Sequence, residues 1–175
     1  MLEELIEKNN DPRALNELAI CYVLGRGIKQ DKDKAFCLYE NAAKKGHTVA
    51  QCYLGLLYAF GKTRDKDKVF YWYKKSAAKY NIEATFSLGC LYFEGKGTRK
   101  NVKKAIDLWE QTAKFNHKGA LYHLGVAYYE GKYVDQDLEL AKLNLKKASE
   151  QGIEEATQLL DVIKKEENTK NKTHK

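Results

Sequence analysis

A serine and a lysine at catalytic spacing form the most specific chemical signature in the sequence. Ser76 and Lys79 are separated by two alanines, the Ser-x-x-Lys spacing found in penicillin-binding enzymes. Such enzymes also need Ser-Asp-Asn and Lys-Thr-Gly elements, and neither occurs in the sequence. Because Ser76 and Lys79 fall where a sequence repeat places polar residues on either side of an alanine pair, we predict no catalytic role for them.

The cysteines and histidines are too scattered to indicate a metal site. They form no Cys-x-x-Cys pair, and the histidines do not complete the spacing of a zinc site. We therefore expect no metal, no cofactor, and free thiols that pack as small apolar residues. His123 has no triad partner in the sequence. The residues concerned are Cys21, Cys37, Cys52, Cys90, His47, His117, His123 and His174.

Two glycine-rich segments, Gly25-Arg26-Gly27 and Gly95-Lys96-Gly97, could be mistaken for phosphate-binding loops. A phosphate loop follows a strand and contains a Gly-Lys-Ser/Thr sequence. Here no strand pattern precedes the glycines and no such sequence follows them, so we interpret both segments as helix ends. With no arrangement of nucleophile, base or paired carboxylates remaining, the sequence predicts a protein that is not an enzyme.

The composition predicts a folded protein with a modest basic surplus. The chain has 175 residues, 43% of them hydrophobic, with 31 Lys and Arg against 24 Asp and Glu for a net charge of +7. No segment approaches the ~18 apolar residues of a membrane helix. The acidic N-terminus is not a secretory signal, so we expect a cytoplasmic location, with delivery into a host without a cleavable signal left open. Lysines interleave with acids, so we expect no nucleic-acid partner, and a basic-surface nucleic-acid binder is a further alternative.

A repeat of about 36 residues dominates the sequence. Four segments share the pattern Ala-xxx-Leu-Gly-xx-Tyr-xx-Gly, with alanine in place of the first glycine in one of them. They begin at Ala14, Ala50, Ala84 and Ala120, and a fifth begins at Ala156 and decays after Leu160. The steps between the alanines are 36, 34, 36 and 36 residues. Recurrence at this period is typical of a solenoid.

Each repeat predicts two helices, which we name helix A and helix B. In helix A the alanine, leucine and tyrosine lie four residues apart on one face. The glycine that follows suits a left-handed C-cap. Helix B follows a polar loop and carries its own apolar face, and the small residues allow the two helices to approach closely.

The predicted fold is all-α, a right-handed α/α superhelical solenoid of four helix-turn-helix repeats with half-repeat caps. We predict a single domain over residues 1–165, with repeats starting near residues 14, 50, 84 and 120 and caps at 1–10 and 156–165. Residues 166–175, rich in lysine, asparagine and threonine, are predicted to form a disordered tail.

The pattern resembles the Sel-one-like repeat (SLR) family, a relative of the tetratricopeptide repeats, over nearly the whole chain. The resemblance rests on the repeated Ala-xxx-Leu-Gly-xx-Tyr-xx-Gly-x-Gly of helix A and the Asp-xx-Lys-Ala that opens helix B. It implies an α/α superhelix. It also implies an adaptor or scaffold role in protein complexes, without catalysis of its own.

One secreted, disulfide-rich branch of that family is linked to penicillin binding and β-lactamase activity. That branch pairs a cysteine at the end of helix B with one at the start of the next helix A. No cysteine stands at the corresponding positions here, so a β-lactamase-like hydrolase is kept only as an alternative function. The positions are Ala43 with Gln51, Ala77 with Thr85, and Ala113 with Leu121.

In the related tetratricopeptide repeats, helix A lines the concave surface, and the resemblance implies that helix A does so here. The spacing places one set of side chains on a single face of each helix A. We predict that this face binds a peptide or helix of another protein and that the chain is a monomer. The predicted partner-binding residues are Asn16, Ile20, Leu56, Phe60, Phe86, Phe93, Glu94, Tyr122, Val126, Tyr129 and Glu130.

Two interpretations of this apolar face stay open. It forms a hydrophobic groove for an apolar or aromatic segment, with Glu94 and Glu130 meeting a basic residue of the partner. Alternatively, several of its side chains pack against adjacent helices as part of the core. The two interpretations predict different fates for an alanine at Phe93 or Tyr129: lost partner binding in the first case, and lost stability in the second.

Overall fold

The computed structural model describes residue 6, residues 9–61 and residues 64–173. Regular structure in this part of the chain is entirely α-helical, as the repeat predicts, and nine helices lie within it. They are α1 (Pro12–Leu24), α2 (Lys32–Lys44), α3 (Thr48–Phe60), α4 (Lys66–Ala77), α5 (Ile82–Glu94), α6 (Val102–Ala113), α7 (Lys118–Glu130), α8 (Leu138–Glu150) and α9 (Glu154–Thr173).

The chain forms two compact units, residues 1–100 and residues 101–175. In the first unit α1 pairs with α2 and α3 pairs with α4, while α2 also packs on α3 and α4 on α5. In the second unit α7 pairs with α8, α6 packs on α7, and α9 packs on α8. Within each unit, helices that follow each other in sequence therefore pack on each other, which is the arrangement of a helical repeat protein.

Short polar side chains start the helices. Each of α1 to α8 is preceded by an Asp, Asn or His whose side chain accepts a hydrogen bond from a backbone N–H of the first turn, where no helical partner is available. The polar loops of the repeat thus set the helix boundaries. The capping residues are Asp11, Asp31, His47, Asp65, Asn81, Asn101, His117 and Asp137.

The repeated glycine ends three of the four A helices in the predicted left-handed conformation. Gly25, Gly95 and Gly131 have φ values of 67°, 73° and 62°, a left-handed conformation that costs glycine little. Gly61 differs, because its backbone is extended with φ −79° and ψ −176°. The B helix α4 is followed by a residue other than glycine in the left-handed conformation, Tyr80 (φ 61°). The next residue, Asn81, is the N-cap of α5.

The repeated leucine of each helix A and one small apolar residue near the start of each helix B belong to the core. Leu18, Leu54, Leu88 and Leu124 are all buried, and so are Ala35, Val69, Ala105 and Ala141 at the matching positions of the B helices. The same side chain therefore occupies the same kind of interior site in each helix pair. Burial of these side chains supplies the main stabilisation of a repeat that cannot fold alone.

Two glycines let side chains of helix B lie directly against the backbone of helix A. A β-carbon added at Gly55 would lie 2.9 Å from Cδ1 of Tyr73, and one added at Gly125 would lie 2.6 Å from Cγ of Leu145. Both distances are shorter than van der Waals contact. The glycine after each leucine is thus a packing requirement at these two positions.

The two predicted caps have different outcomes. The N-terminal cap, residues 1–10, lies mostly outside the described residues. At the other end the helix does not stop near Lys165, because α9 continues to Thr173. Residues 166–173 are thus helical where the sequence analysis places a disordered tail. Glu166 and Glu167 accept hydrogen bonds from Tyr129 and Lys142, and these bonds attach this stretch of α9 to the rest of the unit.

His47 caps α3 only in its neutral form. Its Nδ1 accepts a hydrogen bond from the Ala50 amide at 3.2 Å, which requires an unprotonated nitrogen. Burial, and then the charge of Arg13, lowers the pKa of His47 below its usual value, although Glu17 opposes the shift. A folded-state pKa below the unfolded value means that this contribution to stability is complete above about pH 6.5 and is lost as the pH falls through the folded-state pKa.

We predict that Gly125→Ala lowers the free energy of unfolding by about 1–3 kcal/mol, because the new methyl group collides with Leu145. The loss is expected although alanine favours a helix over glycine. In a Leu145→Ala background the same change should cost much less. Urea unfolding of the four proteins measures this coupling, and equal effects in both backgrounds would contradict the close-approach argument.

We also predict that His47→Asn removes part of the acid sensitivity of the fold. Asn81 caps α5 through an Oδ1 that lies 2.8 Å from the Ala84 amide, so asparagine can fill this role without titrating. The variant should match the wild type near neutral pH and be more stable below about pH 6 by up to about 1 kcal/mol. Thermal unfolding across this pH range measures the difference, and superimposable curves would refute the capping role.

Candidate partner-binding site

Ser76 and Lys79 have structural partners. The Ser76 side chain is buried, and its hydroxyl donates to the Thr48 carbonyl at 2.8 Å. Lys79 Nζ donates to the Gly46 carbonyl at 2.6 Å. Both therefore hold helix B against the segment that begins the helix A of the same repeat. A hydroxyl committed to a backbone carbonyl, with its lysine bound elsewhere, is not arranged as a nucleophile and base.

The cysteines are free thiols. Burial raises the pKa of Cys52 to about 12, so this thiol stays protonated and is a poor nucleophile near neutral pH. At the first position where the disulfide-rich branch has its cysteine pair, Gln51 Nε2 donates to the Ala43 carbonyl at 3.0 Å. Among the residues that the structure describes, no three His, Cys, Asp or Glu side chains come together as metal ligands.

A cleft of about 380 Å³ lies in the first unit between the C-terminal ends of α3 and α5, with α4 beside them. We name it the α3–α5 cleft. Its lining is mainly apolar or aromatic, with charged side chains among it. The lining residues are Ala59, Phe60, Arg64, Lys66, Val69, Tyr73, Phe86, Ser87, Cys90, Leu91, Glu94 and Lys96.

The α3–α5 cleft brings together three of the predicted partner-binding residues, Phe60, Phe86 and Glu94. Phe60 is 80% exposed, which is unusual for a phenylalanine because exposing a large apolar side chain to water is unfavourable. Phe86 is half-buried, and Glu94 is exposed. Two helices 22 residues apart in sequence thus present one apolar surface with an acidic neighbour.

The other predicted residues of the first unit do not line this cleft. Leu56 lies one turn before Phe60 on α3 and is 41% exposed. Ile20 is half-buried on α1, whereas Asn16 is only 2% exposed. Phe93 is half-buried, with Lys100 Nζ 5.4 Å from its ring centroid. Asn16 therefore belongs to the interior of the first unit.

The buried phenol in the lining of the α3–α5 cleft is neutral, whereas the exposed side chains Glu94 and Lys96 are charged. Burial raises the pKa of Tyr73 to about 12, so its phenol stays protonated. At the rim, the Glu94 carboxylate lies 2.6 Å from Lys96 Nζ. The predicted pairing of Glu94 with a basic partner thus competes with a lysine of the protein itself.

In the second unit, aromatic residues of the predicted face pack onto the protein's own last helix. Tyr122 and Tyr129 on α7 lie against a buried cluster that includes Leu145, Ala156 and Ile163. The Tyr129 hydroxyl donates to Glu166 Oε1 at 2.9 Å, and this bond raises the pKa of Tyr129. These contacts favour the core interpretation for both tyrosines.

The remaining two predicted residues of the second unit are also on α7. Val126 is half-buried and Glu130 is exposed. A cleft of about 660 Å³ lies nearby, along the loop between α7 and α8. Two of its polar side chains are already used, since Gln136 Nε2 donates to the Tyr129 carbonyl at 2.8 Å and Asp137 caps α8.

Val69 and Tyr73 were not among the predicted site residues, because that prediction considered helix A alone. Both belong to helix B of the second repeat and line the α3–α5 cleft. The sequence does contain a signal for this contribution of helix B. A glycine at position 55 indicates that a side chain of helix B packs directly against helix A there, and Tyr73 is that side chain.

Comparison with known families agrees with this architecture. The Sel1 repeat pattern matches residues 12–47, 48–81, 82–114 and 119–153, and each match covers one helix A and the helix B that follows it. The chain belongs to the Sel1 repeat family. A comparison with curated protein sequences gives no significant match.

Solved structures of Sel1 repeat proteins are similar to this one. A protective antigen of uropathogenic Escherichia coli strains, which displays an SLR fold, is 31% identical with a TM-score of 0.79, over 89% of this chain and 34% of its own. A Sel1 repeat protein from Oxalobacter formigenes is 29% identical with a TM-score of 0.77, over 86% of this chain and 62% of its own. The chain thus spans about one third and three fifths of these two relatives.

A third solved structure shares the fold alone. The cysteine-rich protein B of Helicobacter pylori is 24% identical with a TM-score of 0.56, over 74% of this chain and 96% of its own.

None of the helices in the described part of the present chain is both long enough and apolar enough to cross a membrane.

We predict that Tyr129→Ala lowers the free energy of unfolding by about 1–3 kcal/mol, because it removes a ring packed against α9 and its bond to Glu166. Phe60→Ala, at an exposed aromatic, should change it by less than about 0.5 kcal/mol. Chemical denaturation of both variants makes the comparison. A Tyr129→Ala protein as stable as Phe60→Ala would restore the groove interpretation for α7.

Proposed function

We propose that this Sel1 repeat protein is a non-catalytic adaptor that binds a segment of another protein in the α3–α5 cleft. The observation that carries the proposal is Phe60, which stands 80% exposed at the edge of a cleft lined by further apolar side chains. Exposed aromatics beside an apolar pocket are the usual anchors of protein interfaces.

The size of the cleft supports a peptide-like occupant. At about 380 Å³ it lies near the lower end of the ~300–1,000 Å³ range of ligand sites. A cleft of this size suits one or two apolar side chains of a partner, and Phe86 and Leu91 would contact them there. Tyr73 would supply a flat ring in the same lining.

The helical framework supports binding without large rearrangement. Tyr73 lies directly against the backbone of α3 at Gly55, and Ser76 and Lys79 fasten α4 to the start of the same repeat. A preformed site loses less conformational entropy when it binds, and so more of the contact energy appears as affinity.

The proposal of a non-catalytic role is supported by the contacts of the reactive side chains. Ser76 and Lys79 bind backbone carbonyls, and the raised pKa of Cys52 keeps its thiol protonated. The adaptor therefore acts through shape and through the apolar surface that it offers to a partner.

The test uses a random peptide library displayed on phage and selected on the intact protein. Peptides recovered on the wild type should bind Phe60→Ser at least about tenfold more weakly, because an interface anchor is lost. Leu24→Ser is the matched control. Leu24 holds the same position of the first repeat and is 53% exposed, but it does not line the cleft, so its loss should change binding less than about twofold.

Fluorescence anisotropy with the recovered peptides measures both variants. Two outcomes would contradict the proposal. In one, no peptide is enriched. In the other, Phe60→Ser and Leu24→Ser bind the recovered peptides equally well. Circular dichroism of the two variants checks that each remains folded.

A further inference from the structure

Positive side chains outnumber negative ones around the α3–α5 cleft. Arg64 precedes α4, Lys66 is the first residue of α4, and Lys96 follows α5, whereas Glu94 is the one carboxylate among the described residues that line the cleft. All four side chains are exposed. A partner segment that enters the cleft must therefore pass a rim with three cations and one anion.

The single carboxylate of the rim is already neutralised. Glu94 Oε2 lies 2.6 Å from Lys96 Nζ, so these two charges largely cancel for a partner a few ångströms away. Among the described lining residues, Arg64 and Lys66 are then the charges that remain. A basic partner segment would face repulsion from both, and an acidic one would gain from both.

The interior of the cleft adds no opposing charge. Val69, Phe86 and Leu91 are apolar, and the phenol of Tyr73 is protonated at neutral pH because burial raises its pKa to about 12. An apolar interior inside a positive rim selects two properties in one segment: a large apolar side chain for the interior, and carboxylates beside it for the rim.

We infer that the partner segment of the α3–α5 cleft is an acidic peptide, in which one aromatic or large aliphatic residue is flanked by Asp or Glu. The inference rests on the proposed function, since it names the chemistry of the segment bound there. It reverses the expectation that Glu94 meets a basic residue, because Lys96 already occupies that role.

The two properties contribute in different ways. The apolar residue supplies most of the affinity, since it leaves water on binding. The carboxylates act at exposed positions, where ion pairs contribute little affinity and chiefly raise the association rate and the specificity. Binding should therefore weaken with added salt but should not vanish.

The test begins with the peptides recovered by phage display on the intact protein. Among those that need Phe60, Asp and Glu should be enriched beside an aromatic or aliphatic residue. A synthetic peptide of that composition is then compared with a peptide in which each acidic residue is replaced by lysine. The acidic peptide should bind at least about tenfold more tightly at low salt.

A charge-reversal variant checks that the rim is responsible. The double variant Arg64→Glu/Lys66→Glu should weaken the acidic peptide by about tenfold and strengthen the lysine peptide. The matched control is Lys103→Glu/Lys146→Glu, which makes the same change in net charge at exposed lysines of the second unit. It should alter the binding of either peptide by less than about twofold at moderate salt.

The outcomes separate this inference from the proposed function. Peptides that need Phe60 but are neutral or basic would overturn the inference and leave the adaptor proposal intact. Equal effects of the two double variants would also overturn it, because net charge and not the rim would then be responsible. Failure to recover any peptide that needs Phe60 would remove both proposals.

Discussion

Two of the helix pairs depend on a close approach between helix A and helix B at one glycine. At Gly55 and Gly125 a β-carbon would lie within 3 Å of a side chain of helix B. The leucine before each of these glycines, Leu54 or Leu124, is buried, and close packing of this kind holds a repeat protein together layer by layer. The polar caps and left-handed C-caps set the helix lengths, but the small residue sets the distance between the helices.

The same contact shapes the candidate site. Because Tyr73 lies against Gly55, its ring also forms part of the α3–α5 cleft, where Phe60 and Phe86 stand beside it. In the second unit Leu145 occupies the equivalent space, and Tyr122 and Tyr129 are engaged by the cluster that includes α9. The same repeated helix pair thus forms an open apolar cleft in the first unit and a filled core in the second.

The helices and their caps are readable from sequence because they depend on neighbouring residues. The period of the alanine, leucine and tyrosine predicts both faces, and the glycines predict three helix ends. Whether an individual aromatic side chain is packed against another helix or exposed cannot be predicted in this way. Tyr129 is held by Glu166, 37 residues later, and that contact depends on α9 continuing past Lys165. The repeat pattern fades before that point, so the sequence offers no local signal for it.

The contribution of helix B to the site is also nonlocal. Tyr73 reaches the cleft because α4 packs against α3 at Gly55. Lys96 forms an ion pair with Glu94, so the Glu94 carboxylate is already neutralised. A prediction that considers helix A alone includes neither contact. This is why the sequence could place Phe60, Phe86 and Glu94 on one predicted face, whereas the pairing of Glu94 with Lys96 became visible only in the structure.

Hydrogen–deuterium exchange of the intact protein, with and without a peptide selected from the random library, tests the central claim most directly. The account predicts that the peptide slows amide exchange in the last turns of α3 and in α5, because these segments border the cleft. Slowed exchange confined to residues 101–175, or to helices that do not line the cleft, would contradict it.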